Sequence, residues 1–195
     1  MCQHYLEEIG HLTCAADRID ARTAALLARL GHDQNVAGLD TVPGIGPAAA
    51  PIIIAETGGD MAQFATAGHL ASWIGVCPGT NESAGVNKSG RIRQANSNLK
   101  RVLGVAAMAA IGNKDCHLGA YYRRIAVRRG RRRPQVAVIH KIVTAIWPIL
   151  RNKTTYQDLG ADYFTRRDPE RAMRRMTKEA NRLGLTVRFD PIPTA

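Results

Sequence analysis

Apolar side chains recur at alternating steps of four and three from Tyr5 through Ile9, Leu12, Ala16, Ile19, Thr23 and Leu26 to Leu30. A stripe of this spacing over more than three heptads keeps one seam of a helix turned toward a partner helix. Gly31 closes the pattern. The seam can be satisfied by packing on its own domain, as an ordinary amphipathic helix does, or by a second helix. Ala16 and Thr23 fill it thinly, and no other heptad helix occurs in the 195 residues. The expected partner is therefore another copy, giving a homo-oligomer, or a segment outside this sequence.

Charge is the second constraint, because the net +11 is unevenly spread. Residues 1–87 carry 3 basic and 9 acidic side chains, a net of −6. Residues 88–153 carry 16 basic and one acidic, Asp115, a net of +15, and residues 154–195 carry 8 and 6, a net of +2. A positive block of that density points to a polyanion. Nucleic acid is the expected partner, and an anionic membrane surface is the alternative. At 45% hydrophobic and 22% charged, the chain has the apolar material for a core. No apolar run approaches the ~18 residues of a membrane span. The first 20 residues show no signal-peptide pattern, so a cytoplasmic location is expected. Cys2, Cys14, Cys77 and Cys116 lack C-x-x-C or metal-ligand spacing. The six histidines are dispersed, and Asp17, Asp20, Asp33, Asp40 and Glu56 are scattered. No metal ligand and no cofactor is expected in this chain.

The pattern predicts a mainly α protein in three parts: a coiled-coil-type helix over 1–32, a helical domain over 33–155, and a helical tail over 156–195. Within the second part, Pro43-Gly44-Ile45-Gly46 stands between apolar segments over 39–56. It reads as a tight turn followed by a helix starting near Pro47. It resembles the helix-hairpin-helix motif, in which glycines such as Gly44 and Gly46 and the next helix N-terminus offer backbone N–H groups to a phosphate. A purely structural turn is the other reading. Pro51 weakens the second helix unless it falls in the first turn. Residues 60–78 read as a buried helix with an extended exit, and a polar, glycine-rich loop follows over 78–93. Leu99, Val102, Leu103, Ala106, Ala107 and Ala110 mark a helix capped by Asn96 or Ser97. A later helix has Pro134 near its start, and Pro148 should kink or end it after Trp147. In the tail, Asp168 reads as N-cap, Pro169 as first helical residue and Gly184 as stop, with a possible strand over 185–189.

The loop over 78–93 carries the sign change and Ser83, with Lys88, Arg91 and Arg93 close behind and Lys100 and Arg101 on the next helix. A hydroxyl attacking a phosphodiester needs cations at the non-bridging oxygens, and a serine–phosphate ester conserves the bond for religation. From the residues alone, Ser83 is also a solvated loop serine, and Ser89 is a rival. Arg123, Arg124, Arg128, Arg129, Arg131, Arg132 and Arg133 complete the candidate nucleic-acid surface.

The ordered set Pro43-Gly44-Ile45-Gly46, Trp73-Ile74-Gly75-Val76-Cys77-Pro78, Asn81-Glu82-Ser83-Ala84-Gly85, Ser89-Gly90, Asn96-x-x-Leu99-Lys100-Arg101 and Tyr121-Tyr122 resembles the C-terminal half of IS110/IS116/IS902-type insertion-sequence transposases. The likeness covers roughly residues 39–155. It implies DNA recombination with Ser83 as nucleophile, DNA as substrate, and a structured non-coding RNA as partner. It also implies an N-terminal RuvC-like domain that holds a divalent metal, Mg²⁺. That domain is not in this sequence, so the chain is expected to be a C-terminal portion that needs it for activity. Ala84 and Ala95 stand where the family often has Ser or Gly. The alternative is a non-catalytic nucleic-acid-binding module that uses the turn and the basic 88–153 block.

Overall fold

The computed structural model describes residues 2–77, 94–130 and 132–190, together with the backbone of 82–83 and 86–87; Arg132 is placed by its backbone alone. The protein is mainly α. Its helices are α1 (Cys2–Arg29), α2 (Asp33–Asp40), α3 (Ala49–Thr57), α4 (Ala67–Ile74), α5 (Ser97–Gly112), α6 (His117–Arg129), α7 (Arg132–Asn152), α8 (Tyr163–Arg167) and α9 (Pro169–Arg182). Between α4 and α5, β1 (Glu82–Ser83) pairs antiparallel with β2 (Val86–Asn87), Glu82 opposite Asn87 and Ser83 opposite Val86. The loop expected there thus contains a short ladder.

The core forms around α7, which packs on α2, α4, α5 and α6. Its buried residues Val138, Ile142, Val143, Ile146, Ile149 and Leu150 follow the 3.6-residue period, so one stripe faces the other helices. Leu99, Leu103, Ala106, Ala107 and Ala110 of α5 form the facing stripe. Polar bonds fix the helices relative to one another. The Trp147 indole N–H donates to the Phe64 carbonyl at 2.9 Å, and the Phe64 and Trp73 rings lie 5.4 Å apart, joining α7 to the α4 region. Glu56 at the end of α3 accepts from the amides of Asn96 and Asn98 at the start of α5. The Thr41 hydroxyl oxygen accepts from the Tyr156 backbone N–H at 2.7 Å, tying the chain after α7 to the end of α2.

Caps fall where the sequence placed them in several cases. Asn96 accepts from the Leu99 N–H at 2.9 Å and Asp168 from the Arg171 N–H at 3.1 Å, each satisfying a first-turn donor. Gly31, Gly75 and Gly184 all take positive φ, at 75°, 79° and 74°. At each, the glycine N–H bonds three residues back and the following N–H bonds five residues back, closing the helix end.

Three expectations are corrected. Residues 60–66 form turns, and only Ala67–Ile74 is helical; the Thr66 hydroxyl accepts from the His69 N–H and starts the helix there. Pro148 does not end α7 after Trp147; the helix continues to Asn152. Buried Ile146, Ile149 and Leu150 on either side of the proline hold the helix through the missing N–H, whose cost is about 3 kcal/mol. Residues 185–189 form no strand, and no strand among the described residues offers them a ladder; Phe189 instead lies against α9.

Helix α1 contributes no buried residue. Its seam residues Tyr5, Ile9, Leu12, Ile19, Leu26 and Leu30 are all exposed, Ile19 by 66%, while Leu27 near its end touches the core.

Candidate nucleic-acid interface

The turn over 43–46 is held by the Ile45 N–H donating to the Val42 carbonyl at 2.9 Å, with both side chains buried. Gly44 has φ +90°, and a Cβ there would collide with the Ala106 carbonyl oxygen of α5. Its glycine is therefore required by packing on α5. Gly46 faces open space, and its carbonyl accepts from the N–H groups of Ala49 and Ala50 as α3 begins. Pro51 lies in the first turn of α3, where a missing N–H costs no helical bond.

On α5, Arg101 is exposed and Lys100 half-buried. Arg101 lies five residues, about 8 Å and 140° around the helix, from Ala106. The turn and Arg101 thus occupy different faces of α5.

Helix α6 starts on a sulfur cap, the Cys116 Sγ accepting from the Gly119 N–H at 3.3 Å. Its first residues His117, Leu118 and Gly119 are buried, while Arg123, Arg124, Arg128 and Arg129 are exposed. Gly130, φ 72°, ends it. Arg128 and Arg129 stand in the last turn, where cations favour the helix dipole. Arg124 lies 4.6 Å above the Phe164 ring, and Arg123 donates to the Lys114 carbonyl at 2.7 Å. Phe164 belongs to an aromatic cluster with His117, Tyr121 and Tyr163.

Part of the basic block is committed to the fold. Lys153 donates to buried Asn35, Arg151 covers Trp147 at 4.9 Å, and Lys141 lies 5.8 Å from the Tyr121 ring centre. On α6, Arg123 and Arg124 are exposed but held by the contacts above, while Arg128 and Arg129 are exposed in its last turn. Arg123, Arg124 and Arg128 line a cleft of about 730 Å³ with Arg171 and Arg175 of α9. The sequence reasoning left out those two tail arginines. Their spacing with Asp168, at i, i+3 and i+7, would have shown one common helix face.

Titration in this region follows burial. His117 is held below the usual histidine value by burial, with Asp158 opposing the shift and Lys141 adding to it. Its Nδ1 is buried without a hydrogen-bond partner, while its backbone N–H donates to Asp158 at 2.9 Å. Burial lowers His140 as well, helped by Lys141. Burial raises the Tyr156 phenol to about 12, with Asp158 and Cys116 pushing the same way.

Ser83 is placed on β1 by its backbone, opposite Val86; the surroundings of its side chain lie outside the described residues. Lys88, Arg91, Arg93 and Arg131 also lie outside them. Arg132 opens α7, and Arg133 beside it is exposed. Among the described residues, no three His, Cys, Asp or Glu side chains stand close enough to share a metal ion. No described helix is long and apolar enough to cross a membrane.

Residues 36–123, from α2 into α6, match the family described as Transposase IS116/IS110/IS902. Over that segment the chain is similar to this transposase family. It is 27% identical over 147 residues to the "Probable family 20 transposase" of Pseudomonas aeruginosa, covering 71% of this chain and 43% of that protein. It is 32% identical over 123 residues to the "Insertion element IS110 uncharacterized 43.6 kDa protein" of Streptomyces coelicolor, covering 61% and 29%. An insertion element IS900 protein of Mycobacterium paratuberculosis is 29% identical over 120 residues, covering 60% and 29%. The matched segment thus spans less than half the length of these relatives.

Proposed function

We propose that this chain is the nucleic-acid-binding and strand-joining portion of a transposase, acting in DNA transposition. The observation that carries the reading is the exposed arginine face of α6 in a chain similar to a transposase family; no carboxylate pairs with that face among the described residues. Arg101, Arg129 and Arg133 extend the surface, and the basic block of the sequence adds Lys88, Arg91, Arg93, Lys100, Arg131 and Arg132. Contacts of this kind go to phosphates and fix position rather than sequence. Gly46 and the start of α3 would lie on a phosphate as a helix-hairpin-helix does, while Gly44 serves the packing that shapes the turn.

Ser83 is the nucleophile in this reading. Its Oγ attacks a DNA phosphorus, forming a serine–phosphate ester. One P–O bond to a nucleotide breaks, and the leaving oxygen takes up a proton as the hydroxyl gives one up. The reverse step, with a different strand's hydroxyl, joins new ends. A divalent metal and a structured RNA belong to the proposal only through the part of the transposase outside this chain. The α1 seam would pair two copies.

The test is a covalent protein–DNA adduct on the element's end sequences, with the remaining part of the transposase supplied. The adduct should form with the unchanged chain and vanish in Ser83→Ala. Retention in Ser83→Ala with loss in Ser89→Ala would move the nucleophile. Nucleic-acid binding without any adduct would favour the binding-module alternative.

A further inference from the structure

We infer that the cleft between α6 and α9 seats a phosphodiester strand, with Arg171 and Arg175 of the tail forming its second wall. The inference rests on the nucleic-acid reading above. It adds to the binding surface a helix that lies beyond the family match at 36–123.

Helical spacing builds both walls. On α6, Arg124 and Arg128 are four residues apart, and so are Arg171 and Arg175 on α9; each pair stands on one face, about 6 Å apart along the axis. Arg123 completes the first wall. The five guanidinium groups meet across about 730 Å³ of open cleft with one carboxylate, Asp168. That carboxylate is engaged as the α9 cap by the Arg171 N–H.

The charge in the cleft is left uncompensated. Among the described residues, none of the five arginines forms an ion pair, whereas Arg166 and Arg188, elsewhere in the tail, are paired with Asp162 and Asp190 at 2.9 and 3.1 Å. Five like charges in one cleft repel one another, and a polyanion relieves that repulsion. The guanidinium fork fits a phosphate by two parallel hydrogen bonds. Two of the forks are already oriented, Arg123 by the Lys114 carbonyl and Arg124 by the Phe164 ring. Val127, 87% exposed on the same wall, offers an apolar contact to a sugar or base.

DNA and RNA share this chemistry, so the test carries separate arms for duplex DNA, single-stranded DNA and single-stranded RNA. The double variant Arg171→Ala/Arg175→Ala is compared with Arg174→Ala/Lys178→Ala, which removes equal charge from α9 residues centred about 60° around the helix that line a separate cleft with Phe189. Helical circular dichroism verifies that both variants keep the fold. The cleft pair should weaken binding about tenfold on at least one arm. It should also reduce the salt slope by about 1.4 on a single strand or 1.8 on a duplex, the share of two phosphates. The control pair should have a clearly smaller effect. Equal losses from both pairs, or no loss from the cleft pair while the parent binds, would overturn the cleft and leave the general reading standing. Tight binding of polyglutamate but of no nucleic acid would overturn both.

Discussion

Gly44 and Gly46 are two residues apart in one turn, yet they do different work. Gly44 is in a left-handed conformation against the α5 backbone, and Gly46 faces open space. Gly44→Ala should destabilise the protein by about 3 kcal/mol or more, from backbone strain plus a collision that only a shift of α5 relieves. Gly46→Ala should change stability by no more than about 0.5 kcal/mol. Denaturant melts of the two variants check this, and equal losses would contradict it. His117 makes a second residue-scale case. Burial depresses its folded value below 6.5, so between that value and 6.5 the unfolded chain binds a proton that the native one does not. Stability should fall as pH drops from 7 through 6.5, and His117→Phe should flatten that fall in melts at pH 7 and 5. An undiminished pH slope would count against it. The sequence showed that 43–46 is a tight turn. It did not show that Gly44 faces α5, because that contact joins residues about sixty positions apart.

Helix ends were legible in the sequence because their causes are local. Asn96, Asp168, Gly31 and Gly184 each act on backbone groups within a few residues. That α7 would run past Pro148 was not legible, because the packing that carries it there comes from other helices. The arginine wall of α9 escaped notice for a related reason. Its spacing was readable, but the α6 face opposite it is a tertiary fact. The heptad of α1 is the element whose sequence reading goes furthest beyond what one chain shows, since its seam is exposed along its length. Leu12→Glu/Ile19→Glu should convert an oligomer to a monomer in sedimentation equilibrium. It should leave the thermal midpoint of the isolated chain nearly unchanged, as surface substitutions do. An unaltered mass would place the contact elsewhere.

At the scale of the whole molecule, the block of +15 over 88–153 divides in two. One share, including Lys141, Arg151 and Lys153, is built into contacts on and around α7. The other, on α6, is exposed and meets the tail arginines in one cleft. Composition alone could not separate these shares, because cation–π and cleft contacts depend on which helices become neighbours. The account's central claim is that this second share holds nucleic-acid phosphates. The direct measurement is the dissociation constant of the intact chain for duplex DNA over a series of salt concentrations. Binding that weakens linearly in log–log form, with a slope of about −0.9 per phosphate and at least four phosphates engaged, is the predicted result. A flat response to salt, or no binding at low salt, would contradict it.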